Sequence, residues 1–173
     1  MTLANKITIL RIILIPVFII FLVRQQHPWP LVIYTFTIAT DALDGFIARW
    51  KHQSTALGTF LDPMGDKFLI VSGFLVLALL KIVPFWIFVL IISRDIIIVL
   101  GWVIIYFLTG SRTIKTNVWG KISTVFQMGT IWFILMQIPD FWINKLLLIT
   151  VATTVISGLA YIWQGTKRLN NHA

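Results

Sequence analysis

Six apolar stretches, at 7–23, 31–48, 64–80, 85–108, 122–138 and 141–163, leave this chain few ways to fold. Each is near or somewhat below the ~20 residues that a helix needs to cross hydrocarbon. In such a solvent, backbone N–H and C=O groups must be satisfied within the segment or in a closed barrel. None of the stretches alternates as a barrel strand does, so all six are expected to be helices. Turn chemistry separates them: His27-Pro28-Trp29-Pro30, Val83-Pro84, Thr109-Gly110-Ser111 and Pro139-Asp140. With 58% of residues hydrophobic and 12% charged, the chain exceeds the apolar share of soluble domains. The expectation is one all-α integral-membrane domain over residues 1–173, six-spanning, with an interfacial start to the first helix. No repeat or low-complexity tract is visible.

Charge orients the spans. With the N-terminus cytoplasmic, that side receives Lys6, Arg49, Lys51, Arg112, Lys115, Lys121, Lys167 and Arg168, and the other keeps Arg24, Lys81 and Lys145. The positive-inside bias is clear. The formal net charge of +8 is therefore read as topology determinants and contacts to anionic headgroups, and nucleic acid is not an expected partner. The first stretch lacks a small-x-small cleavage site and carries Arg11 in its apolar run, so it is expected to be retained as a span.

Against this background the acids stand out. The chain has six, all aspartate, and four fall in one register: Asp41-x-x-Asp44-Gly45-x-x-Ala48-Arg49, eight residues, then Gly58-x-x-x-Asp62-x-x-x-Asp66. An unpaired carboxylate in apolar surroundings is costly, so acids clustered there are functional by default. Spacings of three and four put each pair on one helix face, and the link 50–57 is expected to let the second and third spans lie antiparallel with their acidic ends together. Four carboxylates meeting there repel unless cations neutralise them. All-oxygen ligation suits magnesium, manganese or calcium, and with no cysteine in the chain a zinc-thiolate site is excluded. Helix caps or ion pairs would explain one or two of these acids but not four in register. Gly45 and Ala48 fall on nearly the same face as Asp41, leaving little side-chain bulk where a phosphorylated ligand would approach the backbone, although small residues also permit close helix packing. Arg49 is a fixed cation suited to phosphate oxygens, or equally a positive-inside anchor.

This pattern resembles the signature of the CDP-alcohol phosphatidyltransferase family, integral-membrane enzymes that build phospholipids from CDP-activated donors. Every fixed position of the signature is present between 41 and 66. The resemblance implies two divalent cations, Mg2+ or Mn2+, between the acidic helices, with the donor's pyrophosphate on them. It implies Asp41, Asp44 and Asp62 around one metal and Asp41, Asp62 and Asp66 around the other. Asp66 would also accept the acceptor hydroxyl's proton, while Gly45, Ala48, Arg49 and Gly58 would contact the CDP group of CDP-diacylglycerol. Homodimerisation is common in the family, and Gly65 and Gly73 would allow close helix contact. A bacterial inner membrane with the site facing the cytoplasm completes the expectation.

The acceptor side is read from other residues. Asn5, Thr8 and Arg11 form a polar arc followed by Pro16, similar to the start of many bacterial members. Ser93-Arg94-Asp95 lies in an apolar run, where an Arg and an Asp must line a cavity or be paired. Adjacent helix residues point about 100° apart, so Arg94 and Asp95 are expected to be poor partners and Arg94 to bind acceptor phosphate. Arg112, Lys115 and Lys121 are placed around the cytoplasmic mouth, the first two equally readable as solvated loop charges. These stretches, with 120–127, look most like phosphatidylglycerophosphate synthases, which use glycerol 3-phosphate. Trp102 and Ser123 stand where further basic residues are expected, which weakens a small phosphorylated acceptor and leaves room for a cardiolipin synthase of the CDP-diacylglycerol type, taking phosphatidylglycerol; inositol phosphate is a third candidate acceptor. A metal or ion transporter is the competing reading from another class.

Overall fold

A computed structural model describes the backbone of residues 3–51, 56–109 and 118–170, and the side chains of 13–40, 65–101, 103, 104, 107 and 118–167. Among the described residues there are six helices and no strand: α1 (Leu3–Val23), α2 (Trp29–Lys51), α3 (Ala56–Leu79), α4 (Phe85–Thr109), α5 (Val118–Leu135) and α6 (Asp140–Asn170). Each coincides with one expected stretch. The stretch Asp140–Lys167 of α6, with mean hydropathy 2.0, is the one described segment long and apolar enough to cross a membrane by length and composition.

The chain divides into two compact units, Met1–Ile82 and Val83–Ala173. In the first, α1 packs against both α2 and α3. Ile15, Phe18 and Leu22, spaced three and four apart, form the buried stripe of α1, and the Phe18 ring meets that of Tyr34 at 5.4 Å between centroids. Leu69, Ile70, Phe74 and Leu77 are the corresponding stripe of α3. Gly65 and Gly73 are buried inside this unit.

In the second unit α6 packs against both α4 and α5. Its centre is unusually polar. Arg94, Ser123, Gln127, Thr130, Thr150, Thr154 and Ser157 are all buried, whereas Leu100, Phe107, Leu148, Leu159 and Trp163 are exposed.

Three helix ends depart from the Pro/Gly reading of the turns. Gln25, Lys81 and Gln137 adopt φ of 50°, 60° and 56°. At the first, Gln25 N–H donates to the Leu22 carbonyl (3.0 Å) and Gln26 N–H to that of Phe21 (3.2 Å). At the second, Lys81 N–H donates to Ala78 (3.1 Å) and Ile82 N–H to Leu77 (3.0 Å). These are Schellman closures with a long side chain where glycine is usual, and they satisfy carbonyls that would otherwise be orphaned.

The link between the second and third helices is also shorter than expected. The sequence puts it at 50–57, whereas α2 continues through Lys51 and α3 begins at Ala56. Gly58 and Pro63, both unfavourable inside helices, do not interrupt α3. All four signature acids therefore lie inside helices.

Candidate active site

Asp41 and Asp44 sit three apart on α2, with Gly45 and Ala48 in the same register and Arg49 following. On α3, Gly58, Asp62 and Asp66 recur every four residues along one ridge. The two acid-bearing helices share α1 as a packing partner, so one helix supports both halves of the acidic register. Asp66 has a described side chain and is half-buried, between buried Gly65 and the buried pair Leu69 and Ile70. The side chains of Asp41, Asp44, Gly45, Ala48, Arg49, Gly58 and Asp62 lie outside the described residues. So do those of Thr8 and Arg11 on α1, that of Trp102 on α4, and Arg112 and Lys115 altogether. Among the described residues no three His, Cys, Asp or Glu side chains gather as a metal-binding group.

Tyr34, fully buried on α2, lies within electrostatic reach of the Asp66 carboxylate. Sequence reasoning passed over it because one tyrosine in an apolar run carries no spacing signal.

The polar centre of the second unit is resolved in detail. Arg94 Nη1 donates to Asp95 Oδ1 at 2.6 Å, an ion pair between sequence neighbours. This corrects the expectation that they are poor partners. The 100° between their Cβ directions is spanned because the long arginine side chain folds back, and burial makes the adjacent carboxylate the natural counter-charge. The remaining contacts come from α6. Ser157 Oγ accepts from Nη2 at 2.6 Å and from Nε at 3.2 Å. The Tyr161 ring lies under the guanidinium, with Cζ 5.8 Å from its centroid. Gly120 makes room: a Cβ there would stand 3.1 Å from Arg94 Nη2 and 3.1 Å from the Tyr161 hydroxyl. Lys121, next in sequence, is exposed.

Ser123 is fully buried, where a basic residue had been expected on resemblance. Its hydroxyl lies 3.1 Å from that of Thr154, and Gln127 Nε2 donates to both, at 3.3 and 3.1 Å. One turn on, the hydroxyls of Thr130 and Thr150 are 2.7 Å apart. The α5–α6 interface is thus a ladder of small hydroxyls, a common means of holding helices together where apolar burial gives no preference for a neighbouring helix over lipid. The stripe Thr150, Thr154, Ser157, Tyr161 on α6 was the missed signal: polar residues at spacings of four, three and four along an otherwise apolar helix.

The family model of the CDP-alcohol phosphatidyltransferases matches residues 1–156. The chain belongs to this family. Its members are membrane enzymes of phospholipid biosynthesis, so the chain is a phosphatidyltransferase, and the transporter alternative is set aside. Among its relatives is the CDP-diacylglycerol–glycerol-3-phosphate 3-phosphatidyltransferase of Bacillus subtilis, 30% identical over 192 residues, covering 97% of this chain and 98% of the relative. A putative cardiolipin synthase of Mycobacterium tuberculosis is 30% identical over 165 residues, covering 94% of this chain and 78% of the relative. A probable phosphatidylglycerophosphate synthase of the same organism is 32% identical over 172 residues, covering 92% and 79%. The family is generally dependent on divalent metal.

Proposed function

We propose that this phosphatidyltransferase moves the phosphatidyl group of CDP-diacylglycerol to a hydroxyl of glycerol 3-phosphate, giving phosphatidylglycerophosphate and CMP. The observation that carries this reading is the end-to-end likeness to the Bacillus subtilis enzyme, whose name states both substrates. The buried cation Arg94 suits an acceptor phosphate. In this reading Asp66 takes the proton from the acceptor hydroxyl. That oxygen then forms a bond to the phosphorus bearing diacylglycerol, and the bond from that phosphorus to the CMP oxygen breaks. Arg49 holds phosphate oxygens of the CDP group, and Gly45, Ala48 and Gly58 leave its approach unobstructed. Thr8, Arg11, Arg112, Lys115 and Lys121 assist the acceptor.

The donor set fits two divalent cations: four carboxylates, two per helix, all hard oxygen, in a chain without cysteine. Asp41, Asp44, Asp62 and Asp66 would hold them. Bound there, Mg2+ or Mn2+ would neutralise the pyrophosphate and the charge developing on the leaving CMP.

The chain is further read as crossing a bacterial inner membrane six times, with its site towards the cytoplasm. The many large aliphatic and aromatic side chains on the outside support this, as do the buried hydroxyls, Gln127 and Arg94 of the second unit, together with the Lys/Arg bias. The chain is also read as a homodimer, as is common in the family.

A second reading, cardiolipin synthesis from phosphatidylglycerol, is favoured by the Mycobacterium tuberculosis relative and by an uncharged Ser123. CMP release by purified enzyme tests the class. It is expected to require CDP-diacylglycerol, an acceptor and a divalent cation, and undiminished release after exhaustive chelation would overturn the metal assignment.

A further inference from the structure

Among the described residues Arg94 is the only buried cation. Its guanidinium has five N–H groups, and three are accounted for: Nε and one on Nη2 by the Ser157 hydroxyl, one on Nη1 by Asp95. Among the described residues no partner takes the second N–H of either terminal nitrogen, and a phosphate can accept from two such groups at once. A hydroxyl is well suited to the inner position. It accepts two hydrogen bonds without adding negative charge, so among the described residues Asp95 is the one carboxylate paired with the cation. A second carboxylate in place of Ser157 would compete with the ligand for the same charge. Gly120 leaves Nη2 its space, and Gly158 lies beside the stem, where a Cβ would stand 3.7 Å from Arg94 Cγ.

We propose that Ser157 is a positioning residue of the acceptor subsite: by holding Nε and Nη2 it presets Arg94 so that the second N–H of each terminal nitrogen meets the acceptor's phosphate without first being ordered. The inference rests on the reading of Arg94 as the acceptor's phosphate ligand. An arginine fixed before binding does not lose rotamer freedom on binding, so releasing it costs acceptor affinity and leaves donor affinity alone. The phosphate concerned is a monoester in glycerol 3-phosphate or a diester in phosphatidylglycerol.

The test uses the full-length enzyme in mixed micelles of CDP-diacylglycerol, with each of these two acceptors in turn, and reads KM for donor and acceptor separately. Ser157→Ala is expected to raise the acceptor KM about tenfold, with donor KM and kcat changing by less than about twofold, the size of one charge-assisted hydrogen bond. Ser157→Thr, which keeps the hydroxyl, is expected to restore most of the loss. A larger effect with glycerol 3-phosphate than with phosphatidylglycerol identifies the monoester as the ligand, and the reverse identifies the diester. Equal rises in donor and acceptor KM, or a fall in kcat with acceptor KM unchanged, would overturn the proposal and leave Ser157 a packing residue. Arg94→Ala separates the two levels. If it leaves acceptor KM unchanged, the reading of Arg94 fails and the inference with it. If it raises acceptor KM while Ser157→Ala does not, the positioning role alone fails. Should Ser157→Ala not purify, Gly120→Ala places a Cβ 3.1 Å from the same Nη2 and displaces the guanidinium in its turn. The same acceptor-selective rise in KM is then expected, and its absence overturns the proposal.

Discussion

Gln127 provides a sharp test of the polar seam, because its two ends are unequally satisfied. Nε2 donates to Ser123 and Thr154, while Oε1 is buried with no hydrogen-bond partner. Replacing Gln127 by methionine keeps length and roughly the volume. It removes two neutral hydrogen bonds, worth together about 1–2 kcal/mol in a helix–helix interface. It also removes a buried carbonyl whose desolvation costs about 1–3 kcal/mol. Ser123 and Thr154 keep each other at 3.1 Å. The two terms nearly cancel, so Gln127→Met is expected to lie within about 1 kcal/mol of the parent, on either side. Thr154→Val behaves differently. It strips the shared partner from Ser123 and Gln127 and leaves the whole amide buried, so a loss of about 2–3 kcal/mol is expected. The chain has eight tryptophans and no cysteine, so thermal unfolding in detergent is best followed by intrinsic fluorescence and not by a thiol dye. At this size about 1 kcal/mol corresponds to roughly 2–4 °C in the apparent midpoint. A drop of more than about 8 °C for Gln127→Met, matching or exceeding Thr154→Val, would refute the reasoning, because Oε1 would then have to be engaged by a partner such as buried water.

Asp66→Asn is expected to lower kcat by about 10²–10⁴-fold, the usual value of a positioned general base, while retaining CDP-lipid binding in an equilibrium assay; near-normal turnover would move the base elsewhere. Arg49→Ala should raise the donor KM about tenfold or more with a smaller effect on saturated turnover, which initial-rate kinetics over a donor series will show. Lys81→Gly should raise the apparent melting midpoint by the equivalent of about 0.5–1 kcal/mol, because φ of 60° is unstrained only for glycine.

Much of the fold was legible because apolar length and turn punctuation are both one-dimensional signals. Each of the six stretches became a helix. Their ends were less legible. Hydropathy falls off at Arg49, Trp50 and Lys51 and again beyond Trp163, yet α2 runs to Lys51 and α6 to Asn170. A helix of 31 residues is about 46 Å long, well beyond the ~30 Å of hydrocarbon, so apolar length alone does not mark its end. Left-handed closures on Gln25, Lys81 and Gln137 carry no composition signal, since glycine and asparagine are the residues that announce them. Of the candidate site, the aspartate register and its helical phase were readable from spacing. The clasp on Arg94 was not: Ser157 is 63 residues away in sequence, and the Asp95 contact depends on how one long side chain folds back. Sequence spacing reports Cβ directions along one helix. It is silent about where a flexible charged group ends, and about which serine of another helix meets it.

The most direct test of the central claim is the identity of the lipid made. Purified enzyme would be given CDP-diacylglycerol, magnesium and an equimolar mixture of glycerol 3-phosphate and phosphatidylglycerol, and the products resolved by mass spectrometry alongside CMP. The account predicts phosphatidylglycerophosphate in one-to-one ratio with CMP. Cardiolipin as the main product would contradict the acceptor assignment, and lipid product without CMP would contradict the phosphatidyl transfer itself.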